Sequence, residues 1–465
     1  MTHKQANRSR TNRRSLWTLL GLTLLGTAAT AQAPVTPPSP LALKDAVNYA
    51  LKANAEARKA RLDIENAEYR IDEVRASALP QVSGSAGLTY NPLLQKSALP
   101  NFFGGNPNET ILVAFGQKWN AVAGLSVQQN LFNKSVFTGL KAARTSREFY
   151  QLNAQLTEEQ IIEQVATTYY QVLVQRQQVS VVDSSIANTQ RVQGVLASLY
   201  KNGLAKKIDV DRIEVTITNL QSQRQQVING VALLEHQLKL YMGLPIATPV
   251  TIPDVNPESI VPQAVPATDS IDLQKRTEFL VLQKQGELLE QQKENYRNEY
   301  FPSLSLGGNY NYMGMGNAFP VFKGQSAGAN WFGTASVSLN LRVPIFNGGA
   351  TKARIKQADV SIRKLNEDIA NTGLQLNLAY ENARTQINNN IITLNNQRRN
   401  VGLAEEVFRN TQNNYNNGLA TLTDLLDAER SLTEARSNLS AALLNYRVSE
   451  VQLVKARGGI RTLTQ

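Results

Sequence analysis

Residues 331–347 read WFGTASVSLNLRVPIFN and alternate between two kinds of side chain. The apolar or small set comprises Trp331, Gly333, Ala335, Val337, Leu339, Leu341, Val343 and Ile345. The polar set comprises Thr334, Ser336, Ser338, Asn340 and Arg342. Successive side chains of a β-strand point to opposite faces of its sheet, so this period of two predicts a strand with one apolar and one polar face.

Similar alternation gives four predicted strands, at about 81–90, 119–132, 303–312 and 331–345. Each is long enough to cross a bilayer at a tilt. Aromatic residues crowd the strand ends. One predicted rim comprises Tyr90, Trp119, Tyr310, Tyr312 and Trp331, and the other comprises Phe132, Phe301 and Phe346. Two aromatic girdles of this kind favour a membrane barrel over a half-buried sheet in a soluble domain.

The chain repeats itself with a period of about 215 residues. LPQVSGSAGLTY at 79–90 matches FPSLSLGGNYNY at 301–312, and WNAVAGLSVQQNLFN at 119–133 matches the stretch quoted first. NGLAKKID at 202–209 matches NGLATLTD at 417–424. The order and spacing of these matches predict an internal duplication.

The segment 243–270 holds six prolines and cannot form a long helix, so it is predicted to be a linker. We therefore predict a first repeat at 32–242, a second at 271–457 and a short tail at 458–465.

Apolar or small residues recur at spacings of three and four over 355–383 and 425–446, which is typical of coiled-coil packing. Two long segments are predicted to be helical, 135–201 and 351–416. Each would form roughly 100 Å of helix. Shorter helical stretches are predicted at 44–78, 206–242, 271–299 and 420–457. In each repeat the two shorter stretches together match one long helix, so we expect two half-length helices stacked end to end beside a full-length one.

Residues 1–31 predict a secretory signal peptide, because a basic start precedes the apolar run LWTLLGLTLLG and the small residues Ala29 to Ala31. Cleavage after Ala33 would also be possible. The mature chain is expected to leave the cytoplasm.

Composition excludes several classes of function. The chain has no cysteine and two histidines, which leaves no disulfide, no thiol nucleophile and no histidine cluster. Neither G-x-G-x-x-G nor H-E-x-x-H occurs, so we expect no enzyme, no cofactor and no metal centre. The net charge is +11, but no block of five or six basic residues indicates a nucleic-acid partner.

Four strands cannot close a barrel, since the smallest known membrane barrels have eight. An open sheet edge is not tolerated in lipid, so the chain must oligomerise. Strand count alone permits a dimer or a trimer.

These features together resemble the TolC family of outer-membrane efflux and secretion channels over nearly the whole mature chain. The matching residues are the strand-to-helix junctions NLFN at 130–133 and PIFNGG at 344–349, and two helical tip turns, of which YNNGL at 415–419 followed by TDLLDA at 423–428 is the most specific.

The resemblance implies the fold and the partners. It predicts a mixed membrane α/β protein in which a homotrimer shares one twelve-stranded barrel in the outer-membrane lipid. A long α-helical coiled-coil barrel continues it into the periplasm. The channel is expected to be a passive conduit of a tripartite efflux or type I secretion system. Its partners would be a periplasmic adaptor (membrane fusion) protein and an inner-membrane pump or ABC transporter.

The resemblance also assigns residues at the tips. Gly203 with Leu204, and Gly418 with Leu419, would form the turns grasped by the adaptor. The spacing of Asp424 and Asp427 places them on one face of a helix. Threefold symmetry would stack them as two carboxylate rings at the periplasmic mouth, attracting cations and raising their own apparent pKa values. The alternative is an ordinary solvated pair.

The closed mouth of the family is held by a contact network to which two positions here correspond. They are Asp209 and Tyr415. The arginine that completes the network elsewhere is Ala420 in this chain, and Lys206 or Lys207 could take its place. Two other classes of protein stay open at this point, an envelope-spanning structural coiled coil and a stand-alone porin.

Overall fold

The computed structural model describes residues 40–100, 110–253, 262, 266, 270–321 and 328–464. The predicted signal peptide at 1–31 and much of the predicted linker at 243–270 lie outside the described residues.

Long helices account for most of the described chain. They are α1 (Leu43–Ala53), α2 (Ala55–Ala76), α3 (Lys134–Lys201), α4 (Lys207–Met242), α5 (Thr277–Asn298), α6 (Ala350–Asn416) and α7 (Leu422–Ala456). Short 3-10 helices occur at Leu273–Lys275 and Ile460–Thr464.

The two longest helices organise the others. α3 has 68 residues and α6 has 67, which makes each roughly 100 Å long. α2 and α4 both pack along α3, and α5 and α7 both pack along α6. α3 also contacts α5 and α7, which joins the two halves of the chain.

The stretch 44–78, predicted as one helix, is divided at Asn54, so that prediction was wrong. Asn54 adopts an extended conformation, accepts a hydrogen bond from the Glu56 amide with its side chain, and donates one to the Tyr241 carbonyl at 2.8 Å. A short polar side chain that bonds the backbone in this way favours a helix boundary over a helix interior.

The end of α4 fits closely against this break. Gly243 has a φ of +72°, and a Cβ atom there would lie 2.6 Å from the Ala53 carbonyl oxygen. Gly458, at the end of α7, has a φ of +77° and meets the Lys275 carbonyl in the same way at 2.7 Å. Only glycine fits at either position.

Two apolar cores lie along the helices. The larger one is centred on α3 and includes Ile162, Val165, Leu238, Tyr380 and Leu443. A smaller one, near the turns that follow α3 and α6, includes Val192, Leu196, Ile213, Leu422 and Leu425.

The described strands form two sheets. The larger sheet is antiparallel with the order β1-β4-β5-β6, and its strands are β1 (Gln81–Tyr90), β4 (Trp119–Phe132), β5 (Ser303–Gly316) and β6 (Ala329–Arg342). A hairpin of β2 (Lys96–Pro100) and β3 (Thr110–Ala114) lies in the segment between β1 and β4, where the sequence analysis predicted no strand.

The bounds of β1 and β4 match the predicted ones, whereas the other two strands differ. β5 continues four residues beyond the predicted 303–312, because Met313 to Gly316 pair fully with β6. β6 begins two residues earlier and ends three earlier than the predicted 331–345. Tyr310 therefore pairs with Ala335 in mid-strand rather than lying at the rim, which corrects its predicted place in the aromatic girdle.

The register separates two faces of the sheet. Val127 of β4 is opposite Val82 of β1 and Gly308 of β5, and Gly308 is opposite Val337 of β6. Their face is apolar or glycine along almost its whole length. The other face carries mostly serine, threonine, asparagine and glutamine, and its cross-strand bonds include Ser83 Oγ to Ser126 Oγ at 2.7 Å and Ser336 Oγ donating to Asn309 Oδ1 at 3.0 Å.

Candidate functional site

The turns after α3 and α6 have the same backbone geometry. In the first, the Gly203 amide donates to the Tyr200 carbonyl and the Leu204 amide donates to the Leu199 carbonyl, both at 2.9 Å. In the second, the Gly418 and Leu419 amides donate to the Tyr415 and Asn414 carbonyls at 3.0 and 2.8 Å. This pair of bonds is the Schellman motif, which requires a left-handed residue after the helix.

Glycine supplies that conformation, with φ values of +74° at Gly203 and +72° at Gly418. The motif commonly buries the next side chain against the helix. Here the side chains of Leu204 and Leu419 are instead 75% and 78% exposed. Each turn therefore presents a leucine to its surroundings from a rigid backbone.

Asp424 lies at the start of α7, where it forms a capping box with Thr421. Its Oδ2 atom accepts hydrogen bonds from the Thr421 amide at 2.8 Å and the Thr421 hydroxyl at 2.7 Å, and its own amide donates to the Thr421 hydroxyl at 3.2 Å. Two orphan donors at the helix start are thereby satisfied.

These bonds lower the pKa of Asp424, with the Thr421 hydroxyl as the larger cause. The sequence analysis expected a raised apparent pKa from repulsion between carboxylates. That expectation concerns rings formed by three copies; within one chain, hydrogen bonds to the ionised form of Asp424 favour ionisation.

Asp427 lies one turn further along α7, and its side chain is exposed like that of Asp424. Its Oδ1 atom is 3.8 Å from Arg430 Nη2. Asp427 also lines a cavity of about 660 Å³ between α3, α4 and α7. The structure thus places both acids on the side of α7 away from the buried residues Leu422 and Leu425.

Asp209 and Tyr415 come together although they are far apart in the sequence. Tyr415 packs partly buried against the smaller apolar core. Burial raises the pKa of Tyr415, and the negative charge of Asp209 raises it further. The first turn of α4 therefore lies beside the end of α6.

A contact that the sequence analysis missed joins the starts of α4 and α7. Arg212 Nη1 donates to Thr423 Oγ1 at 2.9 Å. Ala420 has no side chain that could make such a bond, and Lys206 and Lys207 are exposed. Comparison of the two repeats offered a signal for this contact. Arg212 is a basic residue in the first repeat, at the position that corresponds to Asp427 in the second.

The larger sheet leaves its apolar face uncovered. Val337 is 82% exposed and Leu339 is 63% exposed, and the apolar face carries further exposed residues at Val82, Leu125 and Tyr310. Burial of apolar surface contributes about 25 cal/mol per Å², so a face of this extent strongly favours an apolar surrounding.

Aromatic residues lie at one end of this sheet. The Tyr90 and Trp119 rings are 4.5 Å apart, Phe319 meets Trp119 edge-on at 5.2 Å, and Tyr312 stacks on Trp331 at 5.2 Å. Amphipathic rings in this position suit a boundary between lipid and water.

None of the described helices combines the length and the hydropathy that a membrane-spanning helix needs. Among the described residues of one chain, no group of three or more histidine, aspartate or glutamate side chains could hold a metal ion.

A family model places the chain among known proteins. The model of the outer membrane efflux protein family matches residues 46–244 and again residues 272–459. The chain belongs to the outer membrane efflux protein family. It is an outer-membrane protein, and its family is one of channels rather than enzymes.

Individual relatives of this outer membrane efflux protein are distant but extensive. It is 22% identical over 445 residues to the outer membrane protein TolC of Salmonella enteritidis, which covers 95% of this chain and 85% of that one. It is 24% identical over 441 residues to the toluene efflux pump outer membrane protein TtgC of Pseudomonas putida, covering 90% of this chain and 83% of that one.

The fold is also that of solved structures. A crystal structure of CusC superposes with a TM-score of 0.70 at 19% identity, covering 90% of this chain and 92% of that one. The efflux protein thus has the TolC-family fold that its sequence pattern predicted.

Proposed function

We propose that this efflux protein assembles as a homotrimer whose twelve strands close one barrel in the outer membrane, with its helices forming a second barrel across the periplasm. It would act as a passive conduit of a tripartite efflux or type I secretion system. The observation that carries this proposal is that one chain leaves open edges on both its sheet and its helical layer.

The open sheet edges are β1 and β6. The order β1-β4-β5-β6 is antiparallel throughout, so β1 and β6 run in opposite directions at the two edges. The β6 edge of one copy can therefore pair in antiparallel fashion with the β1 edge of the next, and the ring can close. Closure removes every unpaired backbone group from the lipid, which supports assembly over a monomer.

The helical layer has matching open edges. In the described chain α5 packs against both α3 and α6, whereas its counterpart α2 packs along α3. α2 exposes Leu62 and Tyr69, and α6 exposes Leu374 and Leu378. These faces suit one another across a boundary between copies, where α2 of one copy would lie beside α6 of the next.

The two strand-to-helix junctions also differ in how far their own chain contacts them. After β4, Lys134 Nζ lies 3.6 Å from the centre of the Phe301 ring, so this junction is contacted by the connection between α5 and β5 of its own chain. After β6, Ile345 is 94% exposed and Phe346 is exposed as well. The second junction would be covered by the start of β1 in the next copy. The internal duplication thus supports a closed ring of copies.

At the helical tips we propose the site for the periplasmic adaptor, which in turn would connect the channel to an inner-membrane pump or ABC transporter. The support is the pair of exposed leucines, Leu204 and Leu419, held on rigid turns. Apolar side chains on preorganised backbone bind a partner with little loss of conformational freedom.

For Asp424 and Asp427 we propose two stacked rings that form only when three copies meet. The two acids are exposed on one side of α7, which supports this arrangement. Rings of carboxylates favour cations in a narrow passage. In the closed mouth, the tips of each copy would be held together by Asp209, Tyr415 and the Arg212–Thr423 bond.

The function is tested by export from cells. Deleting the gene should raise the accumulation of a fluorescent efflux dye, and the unaltered gene should restore export. A Leu204→Glu, Leu419→Glu variant should assemble normally but restore little export, because charged side chains would disrupt apolar contact with an adaptor. A Ser198→Glu variant, altered at an exposed site one turn before the first tip, should restore it fully. Full export by the double tip variant would contradict the docking role, and no effect of deletion on dye or on secreted protein would contradict the conduit.

A further inference from the structure

The interface between α3 and α7 changes character along its length. Towards the sheet the two helices meet in the larger apolar core, through residues such as Leu173 and Leu443. Towards the tips they meet in the smaller core, through Val192 and Leu425. Between these two cores lies a stretch, here called the polar seam, in which hydrogen-bonded polar pairs alternate with buried apolar residues such as Val182 and Leu432.

Three hydrogen-bonded side-chain pairs cross this polar seam. Gln178 Nε2 donates to Ser437 Oγ at 2.7 Å, and Thr433 Oγ1 donates to Ser185 Oγ at 3.0 Å. Asn188 Nδ2 donates to both carboxylate oxygens of Glu429, at 3.3 and 3.4 Å. Hydrogen bonds between side chains contribute only about 1 kcal/mol each, so these three pairs stabilise the interface modestly.

Glu429 is the ionisable member of the three pairs. It is 7% exposed, and its hydrogen-bond partners are the neutral side chains of Asn188 and Ser185 rather than a cation. A buried carboxylate without a close opposite charge is costly, whereas its protonated form is tolerated.

Charged groups surround Glu429 at greater distance on every adjoining helix. From α3, Arg191 donates to Asn188 Oδ1 at 3.4 Å, and from α4, Arg212 lines the same cavity. The groups on α7 and α6 are Asp427, Arg430, Glu434 and Arg436, with Arg436 paired to Glu405 of α6 at 2.7 Å. Arg436 favours the charged form of Glu429, but its nearer partner is Glu405.

We propose that Glu429 and Asn188 form a proton-dependent clamp between α3 and α7, which closes when Glu429 is protonated and loosens when it is ionised. A neutral carboxyl group can stay in the seam and add a hydrogen bond. An ionised one gains hydration when α7 moves away from α3. Because the bond links the α3–α4 pair to the α6–α7 pair, its state controls how readily the two pairs separate.

The direction of the pH effect follows from burial. Burial raises the pKa of Glu429, while its hydrogen bonds to Ser185 and Asn188 and the charge of Arg436 act in the opposite sense. The closed clamp therefore binds a proton more readily than the open one. Its stability is greatest at low pH and falls as pH rises from the ordinary glutamate value of about 4.3 through the raised value. The proposal concerns the helices of one chain and does not depend on the cargo or the adaptor.

The test measures the distance between α3 and α7 directly. The chain has no cysteine, so Gln190→Cys and Ser431→Cys can carry spin labels at exposed sites on the two helices. In the assembled protein in liposomes, we expect the fraction of short distances to fall as pH rises above the ordinary glutamate value. Glu429→Gln should keep the short distance throughout, because glutamine is neutral and still accepts from Asn188.

Two further variants make the result specific. Glu434→Gln removes an exposed acid from the same cavity and should leave the pH response unchanged. Asn188→Asp places a second acid against Glu429 and should move the midpoint of the pH response to higher pH. Circular dichroism checks that both variants fold. A pH response that persists in Glu429→Gln, disappears in Glu434→Gln, or fails to move in Asn188→Asp would overturn the proposal, as would a distance that does not change with pH in the unaltered chain.

Discussion

Single residues at the helical tips combine a structural role with the proposed functional one. Asp424 completes the capping box of α7 and also lies where a ring of carboxylates would form. Asp427 takes no part in the capping box, and its Oδ1 atom lies 3.8 Å from Arg430 Nη2. The two acids therefore respond differently to substitution, although their spacing in the sequence makes them look equivalent.

Replacing Thr421 with Ala should loosen the start of α7. The substitution removes the hydroxyl that accepts from the Asp424 amide, and loss of an N-cap of this type costs about 1 kcal/mol. Hydrogen exchange of the amides at 422–425 should become several-fold faster, while the amides beyond residue 440 keep their protection. A Thr423→Ala variant separates this effect from loss of the Arg212 bond. Equal protection in Thr421→Ala and the unaltered protein would show that the cap contributes nothing there.

The carboxylate rings are tested by current through single channels in a planar bilayer. Added di- or trivalent cations should block the unaltered channel from the periplasmic side. Asp424→Asn with Asp427→Asn should lose that block, because asparagine keeps an acceptor for Thr421 but carries no charge. Glu434→Gln serves as the matched control. Unchanged block in the double variant would identify the two acids as an ordinary solvated pair.

The pH dependence of this block has a definite sign. The hydrogen bonds from Thr421 lower the pKa of Asp424, so its charge is present above the ordinary aspartate value and is lost only as pH falls through the lowered one. Cation block should therefore persist as pH falls to the ordinary aspartate value, and loss of block at higher pH would show that repulsion between copies outweighs the bonds from Thr421.

At the scale of elements, the central feature is a sheet with one apolar and one polar face. Leu339 pairs with Leu306 on the apolar face, and its neighbour Ser338 pairs with Gly307 on the polar one. An arginine on the lipid face near the middle of the membrane costs about 2–4 kcal/mol, whereas a lumen-facing arginine does not.

We accordingly expect Leu339→Arg to reduce the amount of assembled protein in the outer membrane and Ser338→Arg to leave it nearly unchanged. The measurement is the yield of the assembled form in membrane fractions, with total expression as the reference. If the two variants assemble equally well, the assignment of the faces is wrong.

Periodicity located the long elements because it depends on local chemistry. The period of two at 119–132 and the three-four spacing in α6 and α7 are both direct consequences of which side chains share a face. The same signal fails where a partner decides the structure. Met313 to Gly316 have no strong alternation, and they are strand residues because β6 pairs with them.

Two further features were not predicted from the sequence, for related reasons. The break at Asn54 is stabilised by a bond to Tyr241, which is remote in the sequence. The hairpin of β2 and β3 is short, and short apolar runs such as Ile111 to Val113 predict a strand only weakly. At the site, the glycine turns followed from residue type, whereas the Arg212–Thr423 bond and the burial of Glu429 depend on packing between helices.

At the scale of the whole molecule, every open edge has the same explanation. The elements that lack a neighbour on one side are β1, β6, α2, α6 and the exposed junction at Ile345. Each corresponds to an element of the other repeat that has such a neighbour within the chain. The proposed ring of copies would supply all of them at once. Strand number distinguishes the possible rings, since two copies give eight strands and three give twelve.

The mass of the intact assembly tests this account most directly. The protein would be extracted from outer membranes in a mild detergent and weighed by native mass spectrometry, with the processed single chain as the mass standard. We predict one dominant species of three chains that persists on dilution. A stable species of one or two chains, inserted in the membrane and conducting ions, would contradict the account.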